Sequence, residues 1–246
     1  MKCVILAAGY ATRLYPLTEN FPKPLLEVQG KTILDWLLED IASTGRVDEF
    51  IVVSNHKFAR HFQEWAAARP QWKITVLDDG TTSNETRIGA VRDIALAVEK
   101  CRIQEEMLVI AGDNLLDFSL KSLLGYARRQ GTSCIMRYAE PDVARLRKCG
   151  VLSVDDADRV LSMVEKPAEP PSHWCCPPFY YFIREDVSRV QQGLDAGCGI
   201  DAPGSFIAWL CSQVAVHAME MPGARYDIGN LESYRKVQES YRGILV

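Results

Sequence analysis

The 246-residue chain has no apolar stretch close to the roughly 20 residues that a membrane-spanning helix needs. Its first apolar run, CVILAA at residues 3–8, is too short for the apolar core of a signal peptide, and no cleavage-like site follows it. The sequence thus gives no sign of membrane insertion or secretion, and we expect a cytoplasmic protein without a membrane partner.

Dense runs of lysine and arginine are also missing, and the formal net charge is −4. The basic stretches at 127–130 and 145–148 are short, whereas a nucleic-acid-binding protein normally shows a basic face, so we expect no nucleic-acid partner. The eight cysteines contain no C-x-x-C pair and no spacing typical of a zinc site. Free thiols in a reducing compartment are therefore expected, and not a disulfide framework.

Two glycine-rich phosphate-binding fingerprints are absent. The chain has neither G-x-G-x-x-G nor G-x-x-x-x-G-K-[ST] after its first strand. The first absence argues against a nicotinamide-dependent dehydrogenase, and the second against a Walker-type nucleotide hydrolase.

The sequence does contain strand patterns that alternate with helical patterns in its first half. Continuous apolar strands are predicted at 2–8, 49–54, 73–79 and 106–114, and helices at 32–44, at 57–70 and from 82 onward. After residue 130 the strands follow one another more closely, which favours antiparallel additions, including a hairpin at 150–167. We therefore predict an α/β, Rossmann-like three-layer fold whose mixed, mostly parallel central sheet is flanked by helices.

The loop LAAGYATRLYPLTENFPKPLL, at residues 6–26, follows the first strand, where an α/β fold binds its ligands. Small residues at Ala7, Ala8 and Gly9 let a ligand approach the backbone N–H groups closely. Arg13 supplies a planar, permanent charge, and Lys23 is a point charge stiffened by a proline on each side. The loop therefore predicts a phosphate-binding cradle.

This loop resembles the signature L-A-A-G-x-G-T-R-L-x-P-L-T-x-x-x-P-K-P-L of the sugar-1-phosphate nucleotidyltransferases, or nucleotide-sugar pyrophosphorylases, typified by glucose-1-phosphate thymidylyltransferase. The chain departs from it at Ala11, where glycine is usual. The resemblance implies that Leu6 through Gly9 bind the nucleotide, and that Arg13 and Lys23 bind its phosphates and act in catalysis.

Two further motifs imply a magnesium site. AGDN at 111–114 resembles the family's G-D-[NH], which assigns Gly112 to the nucleotide and Asp113 to catalysis and the metal. YDIGN at 226–230 resembles W-x-D-[IVT]-G, which makes Asp227 the second metal carboxylate. Read alone, each aspartate could equally shape a turn. Mg²⁺ prefers oxygen ligands, so two carboxylates with nucleotide phosphates suffice for it.

The sugar-phosphate residues come from the second half. VEKP at 164–167 resembles the family's E-K-P, which places Glu165 on sugar hydroxyls and Lys166 on the sugar phosphate. Gly150 matches the Y-G-V segment, with Cys149 in place of tyrosine. Tyr180 matches the x-G-[IL]-Y-x-F strand, although Pro178 stands where glycine is common.

The segment DDGTTSNETRIGA, at 78–90, lies where the family reads the base. Thr82 and Asn84 are therefore candidates for hydrogen bonds to a pyrimidine edge. The same residues precede a predicted helix that a capping box of Thr82 and Glu85 would open, and the sequence favours neither role.

We predict a single nucleotidyltransferase domain over 1–246, with a nucleotide-binding half at about 1–130 and a sugar-phosphate half at about 131–246. It is expected to use Mg²⁺ to convert a nucleoside triphosphate and a sugar 1-phosphate into an NDP-sugar and pyrophosphate. The alternatives are a cytidylyltransferase for a non-sugar alcohol phosphate or phosphonate such as choline phosphate, and a non-catalytic sensing subunit. We expect no left-handed β-helix acyltransferase domain, and the oligomeric state, a homo-oligomer included, stays open.

Overall fold

The computed structural model describes residues 1–245 and contains two compact units, each built from separate pieces of the chain. The first unit contains Met1–Arg87, Ile110–Lys121 and the residues from Pro222 onward, and the second contains Ile88–Val109 and Ser122–Met221. Each residue predicted to bind nucleotide or metal therefore belongs to the first unit. Each one predicted to bind the sugar phosphate belongs to the second.

The strands of the described residues are short, as is usual in an α/β protein. They are β1 (Lys2–Leu6), β2 (Glu27–Val28), β3 (Lys31–Thr32), β4 (Glu49–Ser54), β5 (Ile74–Asp78), β6 (Met107–Ala111), β7 (Asn114–Leu116), β8 (Ser133–Ala139), β9 (Gly150–Val154), β10 (Val160–Glu165), β11 (Trp174–Cys176), β12 (Phe179–Phe182), β13 (Val216–Glu220) and β14 (Arg225–Asp227). The helices are α1 (Ile33–Ser43), α2 (His56–Ala67), α3 (Ala90–Lys100), α4 (Lys121–Gln130), α5 (Val143–Leu146), α6 (Arg184–Val187), α7 (Arg189–Asp195), α8 (Gly204–Leu210) and α9 (Leu231–Ser240).

Ten of these strands form a mixed sheet that helices flank, which confirms the predicted fold class. In the first unit β1 pairs with β4 and β4 with β5, and both pairs are parallel. In the second unit the order is β10-β9-β11-β8-β12 with antiparallel pairing, while β13 joins β8 in parallel. The antiparallel strands expected after residue 130 are thus present, and β9 and β10 form the predicted hairpin.

Helix α1 shows how the sequence sets an element's limits. Thr32 caps its first turn by accepting a hydrogen bond from the Asp35 N–H at 3.0 Å. The chain leaves the helix at Gly45, whose φ of +65° suits glycine and whose N–H donates to the Ala42 carbonyl. Between these ends Leu34 and Leu38 are fully buried, and each such side chain contributes about 1.5–3 kcal/mol.

A separate two-stranded sheet in the first unit was not evident from the sequence. Strands β7 and β14 pair in antiparallel register, with Asp227 opposite Asn114 and Arg225 opposite Leu116. Tyr241, which follows α9, is fully buried, and its hydroxyl donates to the Leu116 carbonyl at 2.8 Å. The pairing brings Asp227 beside the residue that follows Asp113.

The predicted capping box of Thr82 and Glu85 is wrong. The reciprocal cap is made by Ser83 and Thr86, and it closes a short 3-10 turn at Asn84–Thr86. Helix α3 begins later, at Ala90, because Gly89 precedes it in a non-helical conformation with a φ of +96°. The sequence pattern placed a helix start where the chain makes an isolated turn.

Within the described residues, no helix is both long and apolar enough to cross a membrane. The eight cysteines, which all lie in residues 1–245, are free thiols.

Candidate active site

The loop after β1 is fixed by hydrogen bonds from neighbouring segments of the first unit. Ala7 N–H donates to the Val53 carbonyl at 2.9 Å, and Asn55 Nδ2 donates to the Ala8 carbonyl at 3.0 Å. Gly9 follows with nothing within 4 Å of the place where a Cβ would stand. A rigid loop with open backbone at its centre is what close approach of a phosphate requires.

Ala11 adopts a backbone conformation that favours glycine, the residue that the resembled signature has at its position. It lies in the left-handed region, with φ 47° and ψ 41°. Its carbonyl accepts hydrogen bonds from Leu14 N–H at 2.9 Å and Thr18 Oγ1 at 2.8 Å. These bonds offset the cost of about 1–2 kcal/mol that an L-residue meets in this conformation.

Arg13 lies on the exposed side of the 3-10 turn at Thr12–Leu14. The turn is anchored by Leu14, which is 1% exposed within an apolar cluster. Among residues 1–245 the Arg13 guanidinium has no hydrogen-bond or ion-pair partner. Its charge is therefore available to an anionic ligand.

Lys23 and Asp113 form an ion pair inside the first unit. Lys23 Nζ lies 2.8 Å from Asp113 Oδ2, and the two side chains are 8% and 41% exposed. Burial alone raises the pKa of Asp113, but the charge and hydrogen bond of Lys23, with a smaller contribution from Arg225, lower it below its ordinary value. Asp113 is thus held as a carboxylate.

Gly112 fixes the position of Asp113 from the other side. Its N–H donates to the Leu6 carbonyl at 3.0 Å, and a Cβ at this position would stand only 2.9 Å from Ile5 Cγ2. A larger residue would push the Asp113 backbone away from the end of β1.

Two polar side chains, Asn114 on β7 and Arg225 on β14, link the Asp113 carboxylate to Asp227. Asn114, which is 2% exposed, donates from Nδ2 to Asp113 Oδ1 at 3.0 Å. Arg225 Nη1 donates to Asn114 Oδ1 at 2.7 Å and lies 3.9 Å from Asp227 Oδ1. One arginine therefore connects the two aspartates that the sequence assigned to a metal.

The donor set fits a hard divalent cation. Asp113 and Asp227 offer carboxylate oxygens at side chains that are 41% and 63% exposed. No group of three or more His, Cys, Asp or Glu side chains suited to a metal occurs in residues 1–245. Two carboxylates alone match the habit of Mg²⁺, which retains several waters and takes its remaining ligands from substrate phosphates.

Thr82 and Asn84 are both exposed. The reciprocal cap belongs to Ser83 and Thr86, so neither Thr82 nor Asn84 makes the helix cap that was their alternative role. A contact with a base stays a prediction for both.

In the second unit Glu165 ends β10 in a slot formed by two glycines. A Cβ on Gly150 would stand 2.9 Å from Glu165 Oε1, and one on Gly204 would stand 2.0 Å away. Burial raises the pKa of Glu165, and the nearby Asp201 adds to the effect while Lys166 opposes it. Within the described residues the carboxylate accepts no hydrogen bond, so it is available to a ligand hydroxyl.

Lys166 follows in a strained conformation. Its φ is +48°, and its N–H donates to the Cys149 carbonyl at 2.9 Å. Backbone strain of this kind in a side-chain-bearing residue costs about 1–3 kcal/mol and is concentrated at functional sites. The Lys166 side chain is 57% exposed, and its ammonium pairs with Asp201 Oδ2 at 3.2 Å.

Tyr180 is 1% exposed. Burial raises the pKa of Tyr180 well above its ordinary value. The residue lies on β12 in the core of the second unit, and its predicted contact with the sugar stays a prediction.

Sequence reasoning missed four residues at these two constellations. Asn114 and Arg225 contact the metal aspartates, while Asp201 and Gly204 contact Lys166 and Glu165. Arg225 gave no local signal, because the short strand that carries it is stabilised by pairing with β7, which lies far away in sequence. Asp201 and Gly204 lie in a segment, 201–210, whose sequence indicated no role.

Residues 2–243 match the profile of the family described as nucleotidyl transferase. Three curated relatives show the range of similarity. UTP–glucose-1-phosphate uridylyltransferase of Haloferax volcanii is 29% identical over 74% of this chain and 72% of its own. Mannose-1-phosphate guanylyltransferase of Mycobacterium tuberculosis is 30% identical over 78% of this chain and 52% of its own. Glucose-1-phosphate thymidylyltransferase of an Actinoplanes species is 28% identical over 78% of this chain and 61% of its own. The chain thus spans between about half and three quarters of these relatives' lengths.

A similar fold occurs in the crystal structure of UDP-glucose pyrophosphorylase complexed with UDP-glucose. The TM-score is 0.82 at 19% identity, over 98% of this chain and 97% of the other. The likeness extends over almost the full length of both chains.

Proposed function

The chain belongs to the nucleotidyl transferase family, whose members are enzymes, and from this premise we propose that it transfers a nucleotidyl group from a nucleoside triphosphate to a sugar 1-phosphate. The products are an NDP-sugar and pyrophosphate. The observation that carries the proposal is the constellation of Lys23, Asp113, Asn114, Arg225 and Asp227 beside the phosphate-type loop.

The nucleotide is assigned to the first unit. The open backbone at Gly9 receives the phosphates, and Arg13, which has no protein partner among residues 1–245, binds the departing pyrophosphate. Lys23 pairs with Asp113 at 2.8 Å, and it turns to the α-phosphate when the nucleotide binds. Such transfers depend on positioning and charge neutralisation more than on covalent catalysis.

Asp113 and Asp227 would hold a magnesium ion. When bound, the ion supplies positive charge to the phosphate oxygens of the nucleotide. The chain's own contribution is to keep Asp113 ionised and to orient both carboxylates through the contacts of Lys23, Asn114 and Arg225.

The acceptor is assigned to the second unit. Glu165, which accepts no hydrogen bond from residues 1–245, takes hydrogen bonds from sugar hydroxyls, and Lys166 binds the phosphate. An oxygen of that phosphate attacks the α-phosphorus, and the bond to pyrophosphate breaks. A phosphate is already an anion at neutral pH, so the step requires no general base.

The test is pyrophosphate release with Mg²⁺, each of five nucleoside triphosphates and a panel of acceptors. The panel contains sugar 1-phosphates, choline phosphate and aminoethylphosphonate. Release with a sugar 1-phosphate is the expected result. Release only with choline phosphate or the phosphonate would identify a cytidylyltransferase-like enzyme instead, and no release with any pair would exclude both activities.

The metal assignment is tested on the same reaction. Asp113→Ala and Asp227→Ala should each lower kcat by at least about 10², the size expected for loss of one preorganised charge contact. Glu64→Gln, an exposed carboxylate on α2, is the matched control and should leave the rate unchanged. Undiminished release by both alanine variants would refute the assignment.

A further inference from the structure

Arg225 stands where the resembled W-x-D motif has tryptophan, and no role was assigned to it from the sequence. We propose that Arg225 is a positioning residue for the metal carboxylate of Asp113, on which it acts through the side-chain amide of Asn114. The inference rests on the proposed function, since it assumes that Asp113 and Asp227 hold a divalent cation.

The strand register places Arg225 for this task. In β14, Arg225 and Asp227 are two residues apart and so project from the same face. Their side chains meet with Nη1 3.9 Å from Oδ1, and the Arg225 side chain is only 19% exposed. Asp227 faces Asn114 in the register with β7. The arginine therefore reaches Asn114 and Asp227 from one position.

Arg225 also decides which way the Asn114 amide points. A guanidinium carries only donors, so the Asn114 atom that faces it at 2.7 Å must be the oxygen. Nδ2 is then directed at Asp113 Oδ1, at 3.0 Å, and at the Ala111 carbonyl, at 3.3 Å. Asn114 is 2% exposed, which leaves little room for water to replace the arginine.

The Asn114 amide is one of two side chains that hold the Asp113 carboxylate. Asn114 donates to Oδ1, while Lys23 donates to Oδ2. If Lys23 turns to a nucleotide phosphate, the amide keeps the carboxylate oriented. Hydrogen bonds to a metal ligand from residues behind it typically account for 10–100-fold in metal affinity.

Positioning and charge predict opposite results when Arg225 is removed. A positive charge near two carboxylates repels a divalent cation, so on charge alone Arg225→Met should bind the cation more tightly. On the positioning role it should bind the cation more weakly, because the Asn114 amide loses the contact that orients it. The sign of the change separates the two.

The experiment measures Mn²⁺ binding to the full chain, without nucleotide, by electron paramagnetic resonance of the free ion. We expect Arg225→Met and Asn114→Ala each to weaken Mn²⁺ binding about tenfold, and the double variant to be no weaker than the weaker single variant. Arg225→Lys, which keeps one donor and the charge, should recover part of the loss. Arg69→Met is the matched control, since Arg69 is similarly buried at 21% exposure but pairs with Asp35, and it should bind Mn²⁺ as the parent does.

Unchanged or tighter Mn²⁺ binding by Arg225→Met would overturn the proposal, as would losses that add in the double variant. If circular dichroism shows that Arg225→Met does not fold, the test uses Asn114→Ala and Arg225→Lys, which change the two partners of the same hydrogen bond. Asp113→Asn tests the premise that Asp113 is a metal ligand. Undiminished Mn²⁺ binding by that variant would refute the metal assignment and the inference together. The expected Mn²⁺ results without pyrophosphate release on any acceptor would refute the proposed function and leave the positioning role standing.

Discussion

Replacing Lys23 by methionine separates the two roles that the structure gives to this lysine. Methionine is unbranched and of similar length, so the buried stem between Pro22 and Pro24 keeps its packing. The substitution removes the ammonium that lies 2.8 Å from Asp113 Oδ2. Asp113 retains the Asn114 hydrogen bond, so it is not left as an isolated buried charge.

The effect on stability should be small. At 2.8 Å, Coulomb's law gives about 1.5 kcal/mol in a water-like dielectric and about 6 kcal/mol at an effective dielectric constant of 20. The lower figure applies better, because Asp113 is 41% exposed, and desolvation of the lysine offsets part of it. We expect Lys23→Met to lower the free energy of unfolding by about 1 kcal/mol at pH 7.

The pH dependence identifies the partner. The pKa of Asp113 in the folded chain is below its ordinary value of 3.8, so the pair stabilises fully above that pH and is lost as the pH falls through the folded pKa. The difference between the parent and Lys23→Met should therefore shrink below pH 3.8. Urea unfolding followed by circular dichroism, from pH 7 down to pH 3, measures it.

The effect on catalysis should be far larger, about 10²–10³ in kcat, if Lys23 stabilises charge on the α-phosphate. Pyrophosphate release at saturating substrates measures it. Lys31→Met is the matched control, because Lys31 pairs with Glu39 at the surface of the same unit, and its kcat should stay within twofold of the parent. A kcat within fivefold of the parent for Lys23→Met, or an equal destabilisation at pH 3 and pH 7, would refute this reasoning.

Three further substitutions test the acceptor residues through the acceptor KM and urea unfolding. Glu165→Gln should raise the acceptor KM about tenfold and also raise the free energy of unfolding at pH 7, because burial lifts the pKa of Glu165 above its ordinary 4.5 and makes the ionised form destabilising. The gain in stability should vanish below pH 4.5, and a loss of stability at pH 7 would contradict the prediction. Asp201→Asn should lower the KM about two- to fivefold by releasing Lys166 from an exposed ion pair, whereas a higher KM would mean that Asp201 positions Lys166. Gly204→Ala should raise the KM at least about tenfold, since its Cβ would stand 2.0 Å from Glu165 Oε1 and 2.4 Å from Met163 Cε, and an unchanged KM would show that Glu165 does not bind the acceptor.

The long elements could be predicted because their signals are local. The buried run of β1 and the capped, amphipathic pattern of α1 follow from neighbouring residues, and both elements are present. The two short strands β7 and β14 could not be predicted, because each has three residues and its stability comes from a partner far away in sequence. Turn chemistry was misplaced by one residue at Ser83, since serine and threonine serve equally well in a capping box.

The candidate site divides in the same way. Arg13, Lys23 and Asp113 stand in recognisable runs of sequence, and the structure gives Lys23 and Asp113 a direct contact. Arg225 gave no such signal, because its meaning depends on the side chain of Asn114, which lies on the strand paired with β14 and is far away in sequence. The need for glycine at position 204 is likewise explained only by the Glu165 carboxylate, which lies beside it in the folded chain. Contacts made across a long sequence separation are not encoded in any single stretch.

Because the first unit is built from three separate pieces of the chain, its parts are synthesised at different times. Arg225 follows Asn114 by 111 residues, so at translation speeds of about 5–20 residues per second it leaves the ribosome roughly 6 to 22 seconds later. During that interval a nascent chain carries Asp113 and Lys23 but has neither Asp227 nor the buried Tyr241. The proposed cation site is thus completed only after this interval, and until then the nascent chain exposes the apolar surface that Tyr241 later covers.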